Sequence, residues 1–353
     1  MILLRSFVFS LAIKTVFITC VILLLTTFNY FGQLLQDIIT GNLLIHSLLQ
    51  LLLASSLIYL RIILPFAFFL AVLLELTSLY ATNELITLFA HGMSKTRLML
   101  LFSVPLSCVV LLTALLSLYL APSAYDIKEH VWRTNAEKKT TGFIKSGTFT
   151  HLDRSSVIYV QEQNKTAETF HRVFLFHDPY VSTPGELDRF VMISNSMQDQ
   201  NIDGVQYIRF TEGQSLYFDA YHRLVSRIRF DQYHLKTHLS PKESGKYSPL
   251  AAATKDLWRS DAYQDKAELQ WRISLIVLAG VLVCFAVASI NLQPRKSGWA
   301  LLIRGLVFFF CYMLVLSMIQ SYMWKGQWPV AIGMWPVHIL ALCYILLFTR
   351  KSA

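Results

Sequence analysis

The chain has 353 residues, 54% of them hydrophobic, and a mean hydropathy of +0.47. This is too apolar for a soluble globular domain and matches a protein that crosses a membrane several times. The net charge of +9 is unevenly placed: residues 121–271 hold 19 basic and 19 acidic side chains, leaving 12 basic and three acidic ones elsewhere. The basic excess is therefore a membrane-topology signal, not a nucleic-acid patch. All five cysteines (Cys20, Cys108, Cys284, Cys311, Cys343) fall in apolar segments. Neither a disulfide framework nor a Cys-based zinc site holds the polar middle together.

In chain order, Met1 to Lys14 forms an amphipathic lead with Arg5 and Lys14, and Thr15 to Phe31 continues as an apolar run. A cleaved signal peptide is the rival reading, but no small-x-small cleavage site follows, so the run is kept as span one. After a loop at Asp37–Asn42, Leu43–Leu53 reads as an interfacial helix leading into span two, roughly Ser56–Leu76, which contains Arg61, Pro65 and Glu75. Pro65 removes one backbone hydrogen bond and predicts a kink. Span three is Leu98–Leu120, ended by Ala121-Pro122. Beyond the polar middle, Ile273–Ile290, Trp299–Ser317 and Trp335–Phe348 are spans four to six. With a few boundary residues each covers the ~20 residues a bilayer core requires.

The expected organisation is thus 1–120 with three spans, 121–271 as a water-facing insert, and 272–353 with three more. Arg5, Lys14, Lys95, Arg97, Arg295, Lys296, Arg304, Arg350 and Lys351 fall on one side of the membrane. The loops Asp37–Asn42 and Gln320–Gly333 offer only Lys325 on the other. By the positive-inside rule the first side, with both termini, is cytosolic, and the insert lies outside it. Trp324, Trp328 and Trp335 suit an aromatic belt at the outer face.

Inside the insert, Tyr125–Lys139 reads as a charged helix extending span three. Short strands rich in Val, Ile, Tyr and Phe follow at Ser156–Gln161, Arg172–Phe176, Phe190–Asn195, Val205–Phe210, Ser215–Asp219 and Arg227–His234. They are separated by the turn formers Asp178-Pro179, Thr183-Pro184-Gly185, Asp203-Gly204 and Glu212-Gly213. The expected fold is an α-helical membrane protein of six transmembrane helices with an inserted all-β, jelly-roll-like domain.

No phosphate-binding loop, H-E-x-x-H or G-x-S-x-G occurs. His130, His151, His171, His177, His222, His234 and His238 are scattered without ligand spacing and read as surface or strand-edge residues; no metal or cofactor is expected. One stretch outside the insert stands out. From Ser78 to Lys95, Thr82 or Asn83 is placed to cap a short helix whose first turn holds Glu84 and which Gly92 closes. Leu85, Leu88 and Phe89 share a face. Such a short, apolar helix is unstable alone, so it lies in the membrane interface or docks into another protein.

The stretch Tyr80-x-x-x-Glu84-x-x-x-x-x-x-x-Gly92-x-Ser94, the plan of three spans, β insert and three spans, and Glu268-Leu269-x-Trp271-Arg272-Ile273 at span four resemble the LptF/LptG (YjgP/YjgQ) family of lipopolysaccharide-export permeases. Trp271-Arg272 and Asn291-x-x-Pro294-Arg295 are closer to the LptF type than to LptG. The likeness runs along essentially the whole chain.

The resemblance implies a non-catalytic subunit of an ABC transporter in the inner membrane of a Gram-negative bacterium. It pairs with an LptG-like permease, sits on an LptB-like cytosolic ATPase dimer, is joined by an LptC-like membrane-anchored jelly roll, and passes lipopolysaccharide to a periplasmic bridge protein. Residues 82–92 match the family's coupling helix, with Glu84, Leu85, Leu88, Phe89, His91 and Gly92 as the ATPase contact. Where members carry Lys or Arg after span one, this chain has Gln33 and Gln36; the partner subunit supplies the charge for lipid A phosphates, or Arg61 does, unless Arg61 snorkels to the interface. Glu75 has the same plain reading. Val157, Tyr159, Ile208 and Phe210 are the expected inward residues of a lipid conduit. Two other classes remain open: a different ABC-type extruder with a force-transmitting outer domain, and a membrane-anchored sensor or binding module.

Overall fold

The computed structural model describes residues 2–39, 43–142, 146–151, 156–164, 169–178, 189–202, 205–219, 223–236, 248–290 and 299–351. The Asn291-x-x-Pro294-Arg295 motif, Lys296 and the turns at Thr183-Pro184-Gly185 and Asp203-Gly204 lie outside the described residues. Two compact units are present. One comprises residues 1–32, 49–129 and 247–353; the other comprises 33–48 and 130–246, narrower than the expected insert.

The helices among the described residues are α1 (Ile2–Ile39), α2 (Leu48–Ala81), the short α3 (Glu84–Ala90), α4 (Lys95–Leu115), α5 (Ala121–Gly142), α6 (Thr254–Arg259), α7 (Tyr263–Ala288), α8 (Trp299–Trp324) and α9 (Trp335–Lys351), of which the ends of α1 and α5 reach into the second unit. Five stretches are long and apolar enough to cross a membrane, and the apolar part of α9, Trp335–Leu347, is a shorter sixth. Helix α7 is the centre: 72% of its apolar window is buried, against 17% for α1 and 22% for each of the spans of α4 and α8. Leu275, Leu278, Leu282 and Ala286 of α7 join Phe68, Phe69, Leu73 and Leu76 of α2 and Phe102 of α4 in one apolar cluster. The apolar outer faces of α1, α4 and α8, such as Phe17, Leu24, Val104, Leu111, Ile303 and Phe310, are exposed, as lipid-facing surfaces are.

Pro65 lies inside α2. Two boundaries differ from the expectation. No separate interfacial helix forms at 43–53; a short 3₁₀ turn, Ile45–Ser47, runs straight into α2. Nor does Ala121-Pro122 end span three: α4 passes through a π-helical turn at Leu116–Leu120 into α5. A proline deprives the carbonyl four residues earlier of its partner. Here that carbonyl is Leu118, and the Thr254 hydroxyl donates to it at 2.6 Å. The wider π turn and a side chain from a distant segment let the helix continue through proline, a remedy known from membrane helices.

The other unit holds one antiparallel sheet whose six strands follow chain order: β1 (Phe149–His151), β2 (Ser156–Asn164), β3 (Thr169–His177), β4 (Arg189–Ile202), β5 (Val205–Phe218) and β6 (Leu224–Lys236). The all-β insert is thus present as a meander. Glu212-Gly213, expected to be a turn, lies inside β5. Gln161, Arg172, Asn195, Glu212 and Asp231 are left unpaired in successive strand pairs while the register on either side is kept, so a crease crosses the sheet. Arg172 and Glu212 take positive φ there, 54° and 50°. Across the crease the inward side chains of β3, β4 and β5 change phase by one residue. Thus β5 points Ile208 and Phe210 inward before the crease, and Ser215 and Tyr217 after it. Gly213 is required at this place: a Cβ would lie 2.5 Å from the Ile193 carbonyl oxygen and 2.6 Å from the Phe230 ring.

Candidate functional site

The stretch singled out between spans two and three folds as α3, seven residues separated from the end of α2 by two residues. Leu85 is fully buried in the apolar cluster of the spans, and Phe89 packs against that cluster half-buried. Glu84, His91 and Gly92 are exposed, and Leu88 is half-buried. The expected N-cap is absent: Asn83 has φ 58° and caps nothing, while the Thr82 hydroxyl donates back to the Ser78 carbonyl. The C-terminal end follows expectation. Gly92, φ 86°, donates to the Phe89 carbonyl and Met93 to the Leu88 carbonyl, the two bonds of a Schellman motif. Ser94 then caps α4, accepting from the Arg97 N–H at 3.2 Å. The loop is therefore anchored by an apolar residue below and closed by glycine, with Glu84 held outward and forming no salt bridge among the described residues.

A second constellation lies toward the other end of α2. Arg61 is only 3% exposed, so it does not snorkel. Its Nη1 donates to Glu268 Oε1 at 3.3 Å, its Nη2 to the Tyr125 hydroxyl at 3.4 Å, and its guanidinium lies 5.4 Å from the centre of the Tyr125 ring. Glu268 Oε1 also accepts from Arg272 Nε at 3.0 Å, and both of these residues are fully buried. Arg272 spends its other four N–H groups on the segment before α6: Nη1 donates to the Ala252 carbonyl and the Thr254 hydroxyl, Nη2 to the Pro249 and Leu250 carbonyls, all at 3.0–3.1 Å. Every donor of this guanidinium is used. Thr254 passes the chain on to Leu118, and Ser117 donates to the Arg272 carbonyl at 3.1 Å. One carboxylate and two buried arginines thus tie together α2, α5, the π turn, α7 and residues 249–254.

Glu75 is paired as well: Lys14 donates to it from α1, and the Ser10 hydroxyl does so at 3.3 Å. Its expected interfacial role gives way to a buried inter-helix pair.

Gln33 and Gln36 are exposed near the end of α1. In the sheet, Ile208 and Phe210 face the buried interior with Ile158, Val160, Phe170, Val173, Leu175, Met192 and Met197. Val157 and Tyr159 point the other way, because β2 runs one residue out of phase with the expected pattern. Tyr159 instead lines an open groove of about 660 Å³ with Arg172, Phe174, Ile193, Glu212 and Arg229. At the interior, burial first and then the hydrogen bond with Tyr217 push the Tyr233 hydroxyl up to about 12. Among the described residues no group of His, Cys, Asp and Glu is placed to hold a metal.

Sequence reasoning did not assign Tyr125, Thr254, Glu268 or Arg272 to a site. The available signal was Glu268 and Arg272 four residues apart at the head of an apolar span, where charge is costly unless paired.

A family model described as lipopolysaccharide export system permease LptF/LptG matches residues 3–351. The lipopolysaccharide export system permease protein LptF of Escherichia coli (strain K12) is 22% identical over 295 residues, which are 81% of this chain and 78% of that protein. LptF of Shigella flexneri matches with the same identity and coverage. With a central span that carries a buried charge cluster, a short loop helix and a six-stranded insert, and with a match over almost its whole length, the chain belongs to the LptF/LptG family of lipopolysaccharide export permeases.

Proposed function

We propose that this chain is the LptF-type permease subunit of an ATP-driven lipopolysaccharide exporter in the inner membrane, with cytosolic termini and the sheet in the periplasm. It performs no bond chemistry; an LptB-like ATPase dimer hydrolyses the nucleotide. An LptG-like permease and an LptC-like jelly-roll protein complete the complex, and a periplasmic bridge protein receives the lipid. The observation that carries this reading is α3. A seven-residue apolar helix does not persist in water by itself, and here Leu85 roots it in the spans while Glu84 is presented outward. The exposed acid suits a basic residue in a groove of the ATPase, and the buried leucine suits transmission of its motion to α2. The basic residues of the short connections support the orientation. Gln33 and Gln36 stay as headgroup contacts in this reading, whereas Arg61 enters through Glu268. The apolar interior with Ile208 and Phe210 is the conduit for acyl chains.

The test is Glu84→Ala in a strain depleted of its own copy. Export and growth are lost and co-purification of the ATPase drops, while the permease remains folded and inserted; an Arg-to-Glu exchange on the ATPase restores a Glu84→Arg variant. Normal growth with Glu84→Ala removes the coupling role.

A further inference from the structure

Helix α2 is held by charge at two levels. Glu75 meets Lys14 of α1 toward the α3 end, and Arg61 meets Glu268 of α7 some 14 residues away, roughly 21 Å along the axis. Otherwise apolar residues of α2 and α7 belong to one buried cluster, and apolar packing of that kind lets one helix slide on another by small steps. The ion pair is different in kind. Both side chains are buried, and Glu268 is the one acid paired with Arg61 among the described residues, so Arg61 is not moved away from it without leaving a buried charge unpaired.

The two arginines on Glu268 are not equivalent. Arg272 has all five N–H groups engaged, at 3.0 to 3.1 Å, and binds α7 to Pro249, Leu250, Ala252 and Thr254. Arg61 is held by two longer bonds, 3.3 and 3.4 Å, and among the described residues its buried Nε and the buried Glu268 Oε2 meet no partner. The α7 side of the carboxylate is fixed, and the α2 side has room to re-pair.

We propose that Arg61 and Glu268 are a positioning pair that carries a displacement of α2 to α7 and, through Arg272, to residues 249–254, the segment by which the chain returns from the insert. The proposal rests on the reading of α3 as the ATPase contact. It assigns Arg61 a role inside the protein, acting through Glu268, with no contact to the lipid. Motion enters at Leu85, travels along α2, and leaves where five backbone and side-chain groups converge on one guanidinium.

The experiment uses the whole complex, with its ATPase and partner subunits, in vesicles loaded with native lipopolysaccharide. Lys255→Cys places a thiol on the exposed face of α6, and its labelling by a membrane-impermeant maleimide is compared with and without ATP. Arg61→Met and Glu268→Gln each keep ATP hydrolysis within about twofold, while the ATP-dependent change at residue 255 and the lipid released per ATP both fall by about fivefold or more. The double variant is no worse than either single one, and Arg61→Lys recovers at least half of both signals. Additive losses, or single variants that keep the labelling change, overturn the proposal, as does an unsubstituted complex whose residue 255 ignores ATP. An unsubstituted complex that shows the labelling change yet releases no lipid defeats the export reading and leaves the pair supported by its labelling arms.

Discussion

The two ends of α2 carry charge in opposite ways. Toward one end, Arg61 is buried, shares Glu268 with Arg272, and lies in a network in which every donor of Arg272 has a named partner. Beyond the other, Glu84 is exposed on a helix of seven residues and forms no salt bridge among the described residues. The first arrangement makes folding depend on the charges, because a buried charge stripped of its partner is expensive. The second leaves folding indifferent to the acid and frees it for a partner outside the chain. A substitution at the Arg61 end should therefore register as lost structure or lost transmission, and one at Glu84 as lost association alone.

The largest expected effect tests the first half of that contrast. Arg272→Met leaves Glu268 short of a charge partner and four protein acceptors bare, and should cost about 3–5 kcal/mol. The yield of folded protein in mild detergent falls sharply; near-normal yield and thermal midpoint would make the cluster an incidental feature. Thr254→Val is smaller. It removes the donor to Leu118 and the acceptor for one Arg272 N–H, and should cost about 1–3 kcal/mol, read as a lowered thermal midpoint in detergent. If the midpoint is unchanged, the π turn does not need that hydroxyl to carry the helix through Pro122. The smallest effect belongs to the loop. Gly92→Ala forces a β-carbon into φ 86° and should cost about 1 kcal/mol, seen as faster amide exchange at Leu88–Met93 while the spans keep their protection. Faster exchange across the spans as well would mean that the two ends of α2 are not separable in the way their charges suggest.

Much of this was legible along the chain because it depends on patterns a few residues long. The apolar runs and the alternation in the insert mark spans and strands without reference to partners. The closing glycine of α3 was legible for the same reason, since a Schellman end is a local geometry. Asn83 was misjudged as a cap because capping needs extended backbone at that residue, whereas it takes the left-handed conformation in the link from α2. Glu212-Gly213 was read as a turn because a glycine between two apolar runs marks a turn and a bulge equally well. Deciding between them needs the neighbouring strands, whose Asn195 and Asp231 fall on the same crease.

The amino-acid sequence by itself determined that the protein lives in a membrane, that a β-rich polar insert lies between its apolar helices, and which short helix presents an acid. These follow from the cost of polar backbone and charge in hydrocarbon, a property of composition and local spacing. Only the tertiary structure decided what Arg61 is for. Glu268 is 207 positions away from it, and no periodicity links α2 to α7. The inward phase of β2 was decided there too, for a shift of one residue exchanges the two faces of a strand and nothing local chooses between them.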